Sequence, residues 1–273
     1  MGLRVYKDPA CTQPIQTEVG RLVGDDSTTN FICTGYPSEV RKYSTTATNG
    51  TLLSETVDYS VTDNGDGTYT VTLTSAPATG EIVVAVDDGE KIFADLYAIG
   101  NSPEEANRTL EQQLFIKAEN VNAQNVIVAL DDYVADSLLA EGTDYTVIDN
   151  GDTTYTVNLV SAPSEGQGVV ALSNGAVVGI LVGDGTTTSF ICSANPTEVY
   201  LYYGLTKYFY SLAPDSSGSP GGYGNPGSDL NLGSISSGDV VPFWIKCVIP
   251  EGTPMSNYRD INVKITGLQF ATN

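Results

Sequence analysis

The chain reads as an all-β protein built from antiparallel sandwiches: one discontinuous host sandwich, two inserted and related β modules, and one short helix. Three observations predict this. Apolar residues alternate with polar ones at the two-residue period of half-buried strands. Turn signals recur every 8–12 residues, as DNGDG at 63–67, PATG at 77–80, DDG at 87–89, DNGD at 149–152 and PEG at 250–252. Two phrases also repeat, and their order is reversed. LVGDDSTTNFICTGYPSEV (22–40) returns as LVGDGTTTSFICSANPTEV (181–199), with 12 of 19 positions identical. DYSVTDNGDGTYTVTLTSAPATG (58–80) returns as DYTVIDNGDTTYTVNLVSAPSEG (144–166), with 16 of 23 identical. A repeat marks a duplicated supersecondary unit.

Taken in order, residues 1–20 open the host with the strand LRVYK. Residues 21–89 form the first module. In its TYTVTLT (68–74), Tyr69, Val71 and Leu73 share one face and the threonines the other. Residues 90–137 return to the host. Here Ser102 as cap, Pro103 in the first turn and Glu105 closing a capping box predict a helix through EEANRTLEQQ. The strands QQLFIKAEN and NVIVALDD follow. Residues 138–199 form the second module, with the order of its halves permuted. A permuted order is tolerated when a unit's ends lie close together, and insertions are tolerated in surface loops. Residues 200–273 complete the host with VPFWIKCVIP and DINVKITGLQF. Before both, PDSSGSPGGYGNPGSD (214–229) predicts a long loop.

Composition narrows the chemistry. Of 273 residues, 33 are acidic and 12 basic, giving a net charge of −21. Such a surface repels phosphate backbones and anionic lipid, so no nucleic-acid partner and no membrane insertion are expected. There is no histidine. That removes Ser-His-Asp and Cys-His catalysis and imidazole zinc sites. Cys11, Cys33, Cys192 and Cys247 include no CxxC. Cys33 and Cys192 hold equivalent repeat positions and read as buried small residues, while Cys11 and Cys247 are left either as thiols or as a bridge within the host. The opening MGLRVYKDPACTQP has no signal-peptide run, which predicts synthesis without an export address.

At DNGDGTYTVT (63–72) the chain resembles the hairpin of filamin-type immunoglobulin-like repeats. The resemblance gives Tyr69 and Tyr155 a structural role, turning a corner by bonding back to the backbone. Thr153 stands in place of the second turn glycine, so the second turn is expected to differ in detail. The wider pattern over 21–86 resembles a module common in structural proteins of tailed phages and related viruses. LNLGSISSGDVVPFWIKCVIPEGTP (230–254) and VYKDPACTQPI are similar to segments of such virion proteins. The resemblance covers roughly two thirds of the chain as structural units and carries no catalytic motif. It implies a non-enzymatic capsid-decorating or tail or head-fibre part at the virion surface. Other virion proteins would be its partners, and it would self-associate symmetrically.

Candidate sites follow from residue type. Asp63 with Asp66, Asp149 with Asp152, and Asp25 with Asp26 offer turn carboxylates that suit Ca²⁺, the one possible cofactor, and equally suit tight turns alone. Tyr200, Tyr202, Tyr203, Tyr208, Phe209 and Tyr210 form an aromatic run suited to packing, to a subunit contact, or to sugar stacking in a carbohydrate-binding or adhesive module. Trp244 reads as a structural core residue. Edge strands and the 214–229 loop read as contact elements. Asn49 and Asn107 open glycosylation sequons, relevant only to a secreted eukaryotic chain.

Overall fold

A computed structural model describes residues 2–44, 50–87, 89, 109–132, 137–203, 206–250 and 261–271. After β1 (Gly2–Tyr6) come seven strands: β2 (Glu18–Val23), β3 (Asn30–Cys33), β4 (Glu39–Tyr43), β5 (Thr51–Leu52), β6 (Tyr59–Asp63), β7 (Tyr69–Leu73) and β8 (Ile82–Val86). Two long strands follow, β9 (Thr109–Glu119) and β10 (Val121–Asp132). The next seven are β11 (Ser137–Leu138), β12 (Tyr145–Asp149), β13 (Tyr155–Leu159), β14 (Gln167–Ser173), β15 (Ala176–Val182), β16 (Ser189–Cys192) and β17 (Glu198–Tyr203). A 3₁₀ turn at Lys207–Phe209 leads into β18 (Tyr210–Pro214), β19 (Leu230–Ile235), β20 (Val240–Val248) and β21 (Ile261–Ala271).

These strands make three pairs of antiparallel sheets. The host has orders β1-β9-β20-β18 and β19-β10-β21. Its core forms because alternate residues face inward. Leu114, Ile116 and Ala118 of β9 and Phe243, Ile245 and Cys247 of β20 join Val126 and Val128 of β10 and Val263 of β21 in one buried cluster.

The first seven-strand group has orders β2-β8-β4-β5 and β3-β7-β6 around Phe31, Cys33, Val40, Tyr59, Val71 and Leu73. The second has β15-β14-β17-β11 and β16-β13-β12 around Phe190, Cys192, Val199, Tyr145, Val157 and Leu159. Strand for strand the two match, and only the chain order differs. The second group is a circular permutation of the first. In the second, a hairpin through Asn174 (φ 49°) and Gly175 (φ 80°) joins β14 to β15, the two left-handed positions that a two-residue turn of this kind requires. In the first, the matching ends lead to the host and lie side by side, with Asp87 N–H donating to the Thr17 carbonyl at 2.9 Å and Thr17 N–H to Asp87 Oδ1 at 2.8 Å. That adjacency makes the alternative wiring geometrically cheap.

Strand placement moves two expected joins. β2 begins at Glu18, so Glu18 to Gly20 belong to the first module's sheet. β17 runs to Tyr203 beside β14, so Tyr200 to Tyr203 belong to the second module and not to the host. The expected helix is also corrected. Residues 102–108 lie outside the described residues, and Thr109 to Gln113 open β9 instead. There they pair with Val248 to Trp244 of β20. Helical propensity in TLEQQ yields to the tertiary pairing that buries the following Leu114 and Ile116.

The second module shares an apolar boundary with the host. β14 is buried on both faces: Val169 and Ala171 enter the module's own core, and Val170 and Leu172 join the host cluster with Tyr202. A half-buried strand would alternate, and β14 instead reads as a continuous apolar run because it is covered on both sides.

Candidate interaction surfaces

The turn carboxylates are held by their own loops. Asp63 Oδ1 accepts from Gly65 N–H at 2.8 Å, and Asp66 Oδ1 accepts from Thr68 N–H at 2.9 Å and from its hydroxyl at 2.6 Å. Asp149 and Asp152 repeat this with Gly151 and Thr154. Asp25 accepts from Ser27 and Thr28 N–H and from the Thr28 hydroxyl, and Asp184 does the same with Thr186 and Thr187. Asp26 takes the Thr79 hydroxyl at 2.6 Å. These bonds hold Asp25 and Asp184 well below the usual carboxylate range, the Thr28 and Thr187 hydroxyls contributing most. Among the described residues, no three carboxylates or thiols converge as a metal site would require. Asp63, Asp66, Asp149 and Asp152, the Ca²⁺ candidates, each close their own turn.

Two expectations for these hairpins are corrected. The second turn does not differ: Thr153 adopts φ 72°, close to the φ 89° of Gly67, and the side-chain bonds around it are the same. Nor do Tyr69 and Tyr155 turn a corner through their hydroxyls, which make no hydrogen bond among the described residues. Their rings pack half-buried on the module cores, and Tyr69 meets Tyr36 edge-on at 5.4 Å. The reason is positional: each tyrosine pairs with the buried Cys33 or Cys192 across the ladder and so shares its core-facing side.

The aromatic run divides by element. Tyr202, Phe209 and Tyr210 are buried, and Tyr202 meets Phe209 edge-to-face at 5.3 Å. Tyr200 and Tyr208 are half-buried at the rim of the same cluster, 6.2 Å apart and tilted by 31°. Tyr203 closes β17. Tyr200, Tyr202, Tyr208, Phe209 and Tyr210 pack on the cluster shared by the second module's sheet and the host, and they form no coplanar, exposed platform. All four cysteines are thiols. Cys33, Cys192 and Cys247 are buried, and Cys11 lies partly exposed.

Trp244 is not core. It sits on the outer face of β20, half-buried, because Phe243, Ile245 and Cys247 take the inward positions. Its indole N–H donates to Asp215 Oδ1 at 2.9 Å; Gln113 Nε2 donates to the same oxygen at 2.8 Å, and Gly218 N–H donates to Oδ2 at 3.0 Å. Asp215 thus pins the start of the Gly/Pro loop to the sheet. Farther along, Gly224 N–H donates to the Leu212 carbonyl at 3.0 Å and Gly227 N–H to Tyr210 at 2.9 Å. Lys246 Nζ lies 4.1 Å from the centre of the Tyr223 ring. The loop is consequently a cover for the free edge of β18. Sequence reasoning identified a loop but not this cover, since its bonding partners are distant side chains and strand carbonyls.

A groove of about 1060 Å³ runs between β1, β21 and the first module, lined by Arg4, Glu18, Tyr36, Asp87, Glu119 and Lys264 among others. Arg4 pairs with Asp87 at 3.3 Å, and Arg21 with Glu18 at 2.6 Å. The Tyr6 hydroxyl donates to Glu119 at 2.5 Å. Burial, with Glu119 beside it, pushes Tyr6 up to about 12, so the phenol stays protonated and keeps that bond.

Among the described residues, no helix is long and apolar enough to cross a membrane. Comparison with known protein families, with characterised proteins and with solved structures finds no match for this chain.

Proposed function

We propose that this protein is a non-enzymatic structural component of a virion surface, decorating or stabilising the capsid or tail of a tailed virus. One observation carries the reading beyond the sequence resemblance. The repeated polar motifs of both modules are consumed in closing their own turns, so duplication has multiplied surface-building units without multiplying any chemistry. The second module is joined to the host through Tyr202, Phe209, Val170 and Leu172, which supports a part that holds its shape while presenting a large acidic exterior. The carbohydrate-binding alternative loses support because Tyr200, Tyr202, Tyr208 and Tyr210, the described rings it needs, are packed on the shared cluster.

The test is location. An antibody raised against the purified protein should label the capsid or tail of virus particles from the same source, by immunogold electron microscopy. Absence from particles, together with specific capture on a glycan array, would replace this reading with that of an adhesive module.

A further inference from the structure

Every sheet in a sandwich has two edges, and exposed edges invite pairing with other chains. Most edges here are blunted. β18 is covered by Gly221, Gly224 and Gly227, whose N–H groups donate to Pro214, Leu212 and Tyr210. β1 is covered by Gln13 to Ile15, with Ile15 N–H donating to Val5 at 3.0 Å and Lys7 N–H to Gln13 at 2.8 Å. β2 and β15 bend back onto Thr34 and Ser193, whose N–H groups donate to Val19 and Val178. β5 and β11 have two residues each. β19 is short and broken by register shifts.

β3 and β16 have four residues each and β6 and β12 five each, which leaves β21 as the longest edge strand among the described residues. It has 11 residues and pairs with β10 on one side, and among the described residues nothing pairs with it on the other. It has no proline, and its one charge is Lys264. Leu268 and Phe270 stand 60% and 51% exposed on its outer face. Its first half lines the groove of about 1060 Å³, opposite the first module.

From this we infer that the free edge of β21 is a strand-accepting site, completed by an extended, basic segment of a partner protein. The backbone fixes the kind of occupant: a row of unpaired N–H and C=O groups is matched by another extended strand. Charge fixes its sign. Two copies at −21 each repel one another, which disfavours a second copy of this chain. The groove wall carries Glu18, Asp87 and Glu119 against Arg4 and Lys264, and β21 itself has no acid. An incoming basic strand is drawn by the wider field and meets no like charge along β21 except Lys264. It would cover Leu268 and Phe270 as cross-strand neighbours. This inference goes beyond the virion reading and stands without it, since the edge can accept a strand whatever particle carries the chain.

The probe is a labelled peptide of about ten residues, strand-length, alternating valine with lysine and threonine; its control carries glutamate for lysine. Amide exchange followed by NMR or mass spectrometry, with fluorescence anisotropy, reads the outcome. In the free protein, outward amides of β21 should exchange far faster than those of central β10. The lysine probe should slow them at least tenfold, the glutamate control should bind about tenfold more weakly, and Leu268→Lys with Phe270→Lys should weaken the lysine probe by a similar factor. Both substituted positions are exposed, so the fold is retained. Full protection of β21 in the dilute free protein, no slowing there at about millimolar probe, or probe-dependent protection elsewhere would each overturn the inference. Protection that grows with protein concentration alone would identify a second copy as the occupant and overturn the basic partner.

Discussion

Gly20 lies against Cys33 so closely that a Cβ at Gly20 would sit 2.5 Å from the thiol sulfur, and Gly179 repeats the contact with Cys192 at 2.7 Å. The two sheets of each module meet there, and both modules solve the crowding with the same Gly and Cys pair. Gly20→Ala should therefore destabilise the first module by about 1–3 kcal/mol through overpacking. Adding Cys33→Ala should recover part of the loss. Calorimetry of the two variants checks it, and additive losses would mean that the sulfur is not the obstacle.

Thr153 occupies a left-handed backbone conformation that a β-branched side chain resists. Thr153→Gly should stabilise the second module by about 1 kcal/mol, because Asp152 keeps its bonds to Thr154. Gly67→Thr in the first module should cost a similar amount. Urea midpoints of both variants report the signs.

Thiol chemistry should separate one cysteine from three. Burial pushes Cys33 and Cys192 up to about 11 and Cys247 up to about 12, and it shields all three from solvent. A disulfide-exchange reagent at about pH 8 should label only Cys11 in the native protein and all four after denaturation. Cys11→Ser should abolish native labelling.

Acid should be the weak side of the stability profile. Asp25 and Asp184 are depressed by hydroxyl and backbone donors, and Asp66 and Asp152 share the direction. In the unfolded chain these carboxylates titrate near about 3.9 and bind protons first, so their contribution is complete above that value and is lost as pH falls through the depressed native values. The melting temperature should stay level from about pH 7 to 5 and decline below about 4. Asp25→Asn with Asp184→Asn should flatten that decline; an unchanged acid limb would assign it to other groups.

Asp215 should control the loop that shields β18. Asp215→Ala removes the acceptor of Trp244, Gln113 and Gly218 at once and so frees the start of the loop from the sheet. Because Trp244 is the single tryptophan, its fluorescence should shift with the loop, and proteolysis within 214–229 should accelerate.

The strands and the permuted repeat were legible because alternation and identity are local signals. TYTVTLT became β7 with Val71 and Leu73 buried, as the pattern required. Trp244 misled because its neighbours are all apolar, and only the pairing of Phe243 with Leu114 shows which parity faces inward. The corner role of Tyr69 failed because it rested on the resemblance alone, and spacing cannot show whether a hydroxyl finds a backbone partner. The edge cover by Gly224 and Gly227 was illegible because its bonds reach strand carbonyls more than ten residues away, although the loop itself was plain from its glycines and prolines.

The hairpin at Asn174 and Gly175 has a consequence for synthesis. In the first module β2 leaves the ribosome before β8, so that pair cannot close until the whole module has emerged. In the second, the matching strands β15 and β14 are adjacent in the chain and are free to pair as a hairpin once both have emerged. One architecture is thus offered two chain orders in the same polypeptide. The two modules form an internal experiment on whether the order of translation matters to folding.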